Sequence, residues 1–115
     1  MKLGYQTITW GGVVGQAQGV TSIKDLFYQT YGNTQKAIED IASVGYEGIE
    51  IFDGNLAEYA AKPADFTALL AKHGLALVSV YTGANFIYDE ILEDEFHKIG
   101  RAIELAKKFG AINLI

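Results

Sequence analysis

Three side chains carry most of the chemistry that this sequence offers: Trp10, Glu50 and Tyr81. Glu50 interrupts the apolar run Gly48-Ile49-Glu50-Ile51-Phe52. A carboxylate set among strand-forming apolar residues is costly to bury alone, so it is there to pair, to bind or to move a proton. Trp10 and Tyr81 stand at the ends of two further runs, Leu3 to Trp10 and Leu75 to Tyr81. Thr9, Gly11 and Gly12 cluster around the first end, Phe52, Asp53 and Asn55 around the second, and Ser79, Thr82 and Asn85 around the third. Aromatic walls combined with hydroxyls, amides and carboxylates suit a small polyol such as a sugar, whose CH faces stack while its OH groups hydrogen-bond.

Plainer readings stand beside these. Trp10 and Tyr81 can simply plug the end of a core, and Asp53-Gly54-Asn55 is turn chemistry in its own right. Glu50 can form a structural ion pair with a lysine or arginine as readily as it can act on a substrate. His73 precedes Gly74 at a helix end, a favourable place for a partly positive ring, and His97 lies inside a helix. The acids Asp89, Glu90, Glu93, Asp94 and Glu95 read as a solvated helix start, where the dipole welcomes negative charge. No residue is read as a metal ligand. Gly11, Gly12, Gly15, Gly19 and Gly32 match neither phosphate-loop spacing, which leaves nucleotide binding unsupported.

The elements that must position these residues follow one grammar: amphipathic helix, glycine, apolar strand. Thr34 to Val44, with Ala37, Ile38, Ile41, Ala42 and Val44 at helical spacing, leads to Gly45 and the strand Gly48 to Phe52. Pro63 opens a second helix whose face is Phe66, Leu69 and Leu70; Gly74 ends it before Leu75 to Tyr81. A third helix, Glu90 to Phe109, is expected to bury Phe96, Ile99, Ile103 and Ala106, and Gly110 ends it before Ala111 to Ile115. Leu3 to Trp10 supplies a strand ahead of all three.

Strands separated by helices run parallel, so two architectures compete: half of a closed barrel, or a small doubly wound sheet. Alternation puts Ile49 and Ile51 on one face and Gly48, Glu50 and Phe52 on the other. By the same rule Leu77, Ser79 and Tyr81 share a face opposite Ala76, Val78 and Val80. A doubly wound sheet would bury Glu50 under helices, whereas a barrel places it in the upper interior. The fold expected is therefore α/β, the N-terminal half of a (β/α)8 TIM barrel with four parallel strands and three main helices. The stretch from Gly11 to Asn33 is long for a βα connection, which is usually about 2–6 residues. It reads as a substrate wall or as a rim insertion, with a helical turn over Ser22 to Tyr31 that packs Leu26, Phe27 and Tyr31 downward.

Half of the 115 residues are hydrophobic, enough for one modest core. A net charge of −5 with no basic cluster argues against nucleic acid and against an anionic membrane surface. No cysteine is present, which removes disulfides and thiolate chemistry. The N-terminus lacks a signal-peptide core, and no apolar run approaches the roughly 20 residues of a membrane span, so a cytoplasmic location is expected. Ala111 to Ile115 is apolar and strand-like where natural termini are more often polar. Residues 1–115 are accordingly expected to be an incomplete domain that continues past residue 115.

Lys2-Leu3-Gly4-Tyr5-Gln6-Thr7-Ile8-Thr9-Trp10-Gly11, the block Gly45-Tyr46-Glu47-Gly48-Ile49-Glu50-Ile51-Phe52 and the two helix-glycine-strand units after it resemble the xylose isomerase-like sugar phosphate isomerase/epimerase superfamily. The Trp-Gly pair after the first strand is similar to the inosose dehydratase branch. The resemblance spans essentially the whole chain. It implies a divalent metal (Mn, Co, Mg or Zn) in the complete protein, bound by strand ends beyond Ile115 and not by this chain alone. It also implies a sugar, sugar phosphate or inosose substrate, and a proton moved next to a carbonyl. On matching strand ends it offers Trp10, Glu50 and Tyr81 as substrate-binding residues; the catalytic residues are unknown and expected beyond residue 115. A homo-oligomer is expected. The competing reading is a freestanding half-barrel that self-associates as a non-catalytic binding or assembly module.

Overall fold

The structure, a computed structural model, describes residues 2–11, 13–14 and 28–115. In chain order its elements are β1 (Gly4–Gln6), a 3-10 turn (Thr7–Trp10), β2 (Val13–Val14), β3 (Gln29–Thr30) and α1 (Thr34–Ser43). They continue with β4 (Gly48–Phe52), α2 (Asp53–Ala57), α3 (Pro63–Lys72), β5 (Ala76–Tyr81), a 3-10 turn (Asp89–Ile91), α4 (Leu92–Phe109) and β6 (Asn113–Leu114). Four strands form one parallel sheet in the order β1-β4-β5-β6, and β2 pairs antiparallel with β3 as a separate ribbon. The expected half-barrel is present: four parallel strands joined through α1, α3 and α4.

Local chemistry sets the helix boundaries. Asn33 accepts a hydrogen bond from the Lys36 N–H at the start of α1, and Pro63 occupies the first turn of α3. Gly45, Gly74 and Gly110 each take a positive φ just past α1, α3 and α4, a conformation that side chains with a Cβ resist. Between the helices and the sheet lies one core. Ile38 and Ile41 of α1, Phe66 and Leu70 of α3, Leu56, Leu75 and Ala106 pack on Ile49, Ile51, Leu77 and Val80.

Several expectations fail. The first strand stops at Gln6 rather than at Trp10, because residues 7–10 coil into the 3-10 turn. Val44 lies outside the core, 71% exposed. In α4 the buried residues are Glu95, Lys98, Ala102 and Ala106, while Phe96 is 62% exposed and Ile103 is also exposed. The helix is turned by about one position from the expected face. Ala102 and Ala106 supply the smooth surface that lets it approach the sheet, and the larger apolar residues are left on its flank.

The alternation expected in β5 is broken as well. The register slips opposite Ile49 and Glu50, so that Leu77 pairs with Ile49 and Ser79 with Glu50, leaving Val78 as a bulged residue. Leu77 therefore joins Val80 in the helix-facing core, and Val78 turns to the other face. Room for Val78 comes from Gly48, where a Cβ would come within 2.5 Å of Val78 Cγ2. In the long connection, Gln29–Thr30 are extended and paired with β2, where the end of a helical turn is expected. Tyr31 is exposed instead of packing down. Gly12, Gly15, Gly19 and Ser22 to Phe27, including Leu26 and Phe27, lie outside the described residues.

Candidate functional site

The sheet face away from the helices collects the polar residues. Gln6, Glu50, Ser79 and Asn113 stand in register across all four strands, one from each. The Ser79 hydroxyl donates a short hydrogen bond to Glu50 Oε2. Among the described residues Glu50 makes no ion pair, and its partly exposed carboxylate is held by the Ser79 hydroxyl. The bulge at Val78 creates this contact. Without it, Ser79 would fall out of register with Glu50.

One step nearer the C-terminal strand ends, Phe52 and Tyr81 pair in register and meet edge to face with ring centroids 5.4 Å apart. Tyr28 completes an aromatic group, stacked on Phe52 at 6.2 Å and edge-on to Tyr81 at 5.2 Å. Gly83 is required here, because any Cβ would overlap the Tyr28 ring. Tyr28 is the residue that the sequence reading passed over. The signals for it were an aromatic near the end of an overlong connection and a glycine just past a strand end.

Asp53 and Asn55 anchor that connection. The Tyr28 N–H donates to Asp53 Oδ1 at 3.2 Å, and the Gly54 N–H donates to Asp53 Oδ1 and to the Tyr28 carbonyl, both at 2.9 Å. The Thr82 hydroxyl donates to Asp53 Oδ2 at 2.8 Å. Burial pushes the Asp53 carboxyl above its ordinary value of 3.8; the bonds from Thr82, Tyr28 and Gly54 and the Lys98 charge pull the other way. Asn55, almost fully buried, accepts from the Thr30 N–H at 2.8 Å and hydroxyl at 3.1 Å and donates to the Thr30 carbonyl at 2.9 Å. Its amide acts as a strand partner for β3. Asp53-Gly54-Asn55 is thus more than a turn: it opens α2 and clamps the connection to the sheet.

Glu95 overturns the expectation of a wholly solvated helix start. It is 1% exposed, pairs with Lys98 at 2.8 Å and accepts the Asn85 N–H at 2.8 Å. The pair fixes the loop after β5 against α4. His73 ends α3, and its buried Nε2 has no hydrogen-bond partner among the described residues; His97 remains within α4.

Of the three residues singled out, Glu50 and Tyr81 share one wall and Trp10 does not join them. Trp10 leans on α1, where its Nε1 donates to Asp40 Oδ2 at 2.9 Å and its ring meets Tyr5 edge-on at 5.9 Å. The Lys36 ammonium, and after it the Trp10 N–H, hold the Asp40 carboxyl below its ordinary value. Tyr5, Trp10, Asp40, Ile41, Ser43, Val44 and Tyr46 line a cleft of about 370 Å³ on this outer side of β1.

Among the described residues, no three His, Cys, Asp or Glu side chains converge. By themselves these residues fit no metal ion. What they can do is bind and orient: the Glu50 carboxylate accepts hydroxyl hydrogens, and the partly exposed Tyr28 and Tyr81, backed by the buried Phe52, offer ring surface to CH groups.

Comparison with solved structures identifies the architecture. Over 99% of its length the chain superposes on the apo form of 3-keto-D-glucoside 4-epimerase from E. coli, with a TM-score of 0.62 and 19% identity. Over 99% it also matches a xylose isomerase-like TIM barrel/4-hydroxyphenylpyruvate dioxygenase fusion protein, with a TM-score of 0.65 and 18% identity. The fold is half of a TIM barrel. This chain spans 36% of the epimerase and 16% of the fusion protein. Its four strands are half of the eight that close such a barrel. The polar layer is then the barrel interior, and Phe52, Tyr81 and Tyr28 stand at the end where TIM-barrel sites are built. No family model and no curated protein sequence matches the chain. Among the described residues no helix is long and apolar enough to cross a membrane.

Proposed function

We propose that residues 1–115 form the first half of a cytoplasmic, divalent-metal-dependent sugar or sugar phosphate isomerase or epimerase, or of an inosose-type dehydratase. The observation that carries this reading is the interior wall in which Glu50, held by Ser79, lies next to Phe52, Tyr81 and Tyr28. Its role is to receive the substrate: Glu50 takes hydroxyl hydrogens and the aromatic rings cover a CH face. A divalent metal, held in the complete enzyme by residues outside 1–115, would supply carbonyl polarisation there, and the base would come from the same later strands. Trp10 serves this half by bracing β1 against α1.

The reading is tested by titrating isotope-labelled protein with ketoses, their phosphates and inososes in the presence of Mg²⁺. Amide shifts confined to residues 50–53 and 79–83 support it; shifts elsewhere, or none, overturn it. Turnover is not expected from these 115 residues. Conversion of any of these sugars by the chain alone would refute the assignment of the base and metal to later strands. A reading frame that continues past Ile115 with Glu, Asp and His at later strand ends would establish the class.

A further inference from the structure

One carboxylate ties together three parts of the open end of the sheet. Asp53 opens α2, and the bond that its Oδ1 accepts from the adjacent Gly54 N–H serves that helix start. Its other bonds reach far beyond anything a helix start requires. Oδ1 also accepts the Tyr28 N–H at 3.2 Å, 25 positions back, and Oδ2 accepts the Thr82 hydroxyl at 2.8 Å, 29 positions ahead. Thr82 is itself fixed from the other side, because its N–H donates to the Ile115 carbonyl at 2.8 Å. Asp53 and Thr82 are both buried, and a buried carboxylate is costly unless its oxygens are bonded.

These bonds close a circuit through the aromatic group. One oxygen of Asp53 holds Tyr28, and the other holds Thr82, the neighbour of Gly83. Between the two arms the Tyr28 ring lies on Gly83, where a Cβ would stand 2.4 Å from Tyr28 Cε2 and 2.8 Å from its hydroxyl oxygen. The same ring stacks on Phe52 and meets Tyr81 edge-on. All three rings therefore sit next to Asp53 in the chain or next to a group that it bonds. We propose that Asp53 is a positioning residue of the sugar wall. Through the Tyr28 N–H and the Thr82 hydroxyl it sets the Tyr28 ring against Gly83 and Tyr81, and the affinity of the wall for a sugar depends on that placement. The ligand in this inference rests on the sugar reading; the placement of the ring does not.

Two readouts on the isotope-labelled 115-residue chain test it. The Gly83 Hα protons lie against the Tyr28 ring, so the ring current displaces their shift in the wild type, and Tyr28→Leu gives the undisplaced reference. Asp53→Ala should bring the Gly83 shift to that reference and weaken ketose binding by roughly three- to tenfold, the worth of one aromatic contact. Asp53→Asn, which keeps an acceptor for the Tyr28 N–H and a bond to Thr82, should restore both. Circular dichroism checks that each variant is folded. If Asp53→Ala does not fold, Thr82→Val, which cuts the Oδ2 arm alone, takes its place with the same expectation for Gly83. A folded Asp53→Ala or Thr82→Val chain with the wild-type Gly83 shift overturns the proposal, and so does a ketose affinity that is unchanged when the ring has moved. No ketose binding by the wild type sinks the sugar reading alone, and the Gly83 shift then decides whether Asp53 places the ring.

Discussion

On the helix side of the sheet, Ile49, Ile51, Leu77 and Val80 are buried beneath Ile38, Ile41, Phe66 and Leu70 with no polar group among them. On the other side the same strands carry the buried Gly48 and Ser79 and the partly open Glu50 and Tyr81, joined by a hydrogen bond and aromatic edges. Both faces come from residues one position apart, so the difference is one of chemistry and not of location in the chain. The closed face supplies hydrophobic burial and dispersion, which scale with buried area and require no partner beyond it. The open face spends polar groups and glycines where they add little stability. That pattern is expected of a surface kept for binding.

The sharpest way to break this comparison is to truncate one side chain on each face. Phe66 is 1% exposed and packs against Tyr59 and Phe109, so Phe66→Ala should cost about 3–5 kcal/mol in urea unfolding. Glu50→Gln, which keeps the shape and an acceptor for Ser79, should cost less than about 1 kcal/mol. Equal losses would mean that the open face is structural after all.

The buried ion pair at the edge of the site comes next. Lys98→Met leaves Glu95 charged, 1% exposed and without its cation, and should cost about 3 kcal/mol or more. Adding Glu95→Gln, which retains an acceptor for the Asn85 N–H, should recover most of that loss. A double variant as unstable as the single one would show that the pair acts through packing and not through charge.

A smaller effect probes the glycines of the open face. Gly48→Ala drives a methyl into Val78 Cγ2 and should cost about 1–3 kcal/mol, with Val78→Ala restoring much of it. Simple additivity of the two losses would deny that Gly48 exists to seat the bulge.

This contact also explains why one strand was misread. Helix ends were legible because Pro63, Gly45, Gly74 and Gly110 act through their own φ angles, and the faces of α1 and α3 followed from spacing. The alternation of β5 was not legible, since the bulge at Val78 depends on a glycine in another strand, Gly48. The face of α4 failed for a related reason. A pattern count favours Phe96 and Ile103, but the neighbouring sheet selects the smaller Ala102 and Ala106. At the site, Glu50 and Tyr81 could be placed by strand end alone. Trp10 could not, because the 3-10 turn redirects it toward Asp40, and Tyr28 owes its position to Asp53, 25 positions away along the chain.

Asp53 gives the mildest and most specific test, because it joins the open face to the long connection. Burial raises its folded carboxyl above the ordinary 3.8, so the folded state holds the proton more tightly than the unfolded chain. The contribution of this group to stability is therefore fully present below pH 3.8 and is lost as pH rises through the raised folded value. Paired carboxylates, whose folded values are lowered, would give the opposite slope in acid. Asp53→Asn keeps the Oδ1 acceptor for the Tyr28 and Gly54 N–H groups, and its new N–H can donate to Thr82, whose hydroxyl accepts as well as donates. The variant should match the wild type within about 1 kcal/mol at neutral pH while removing the downward slope that begins near pH 3.8. Urea midpoints of both proteins measured from pH 3 to pH 8 provide the comparison. Parallel curves would show that the folded Asp53 carboxyl titrates as it does in the unfolded chain, its three hydrogen bonds offsetting the cost of burial.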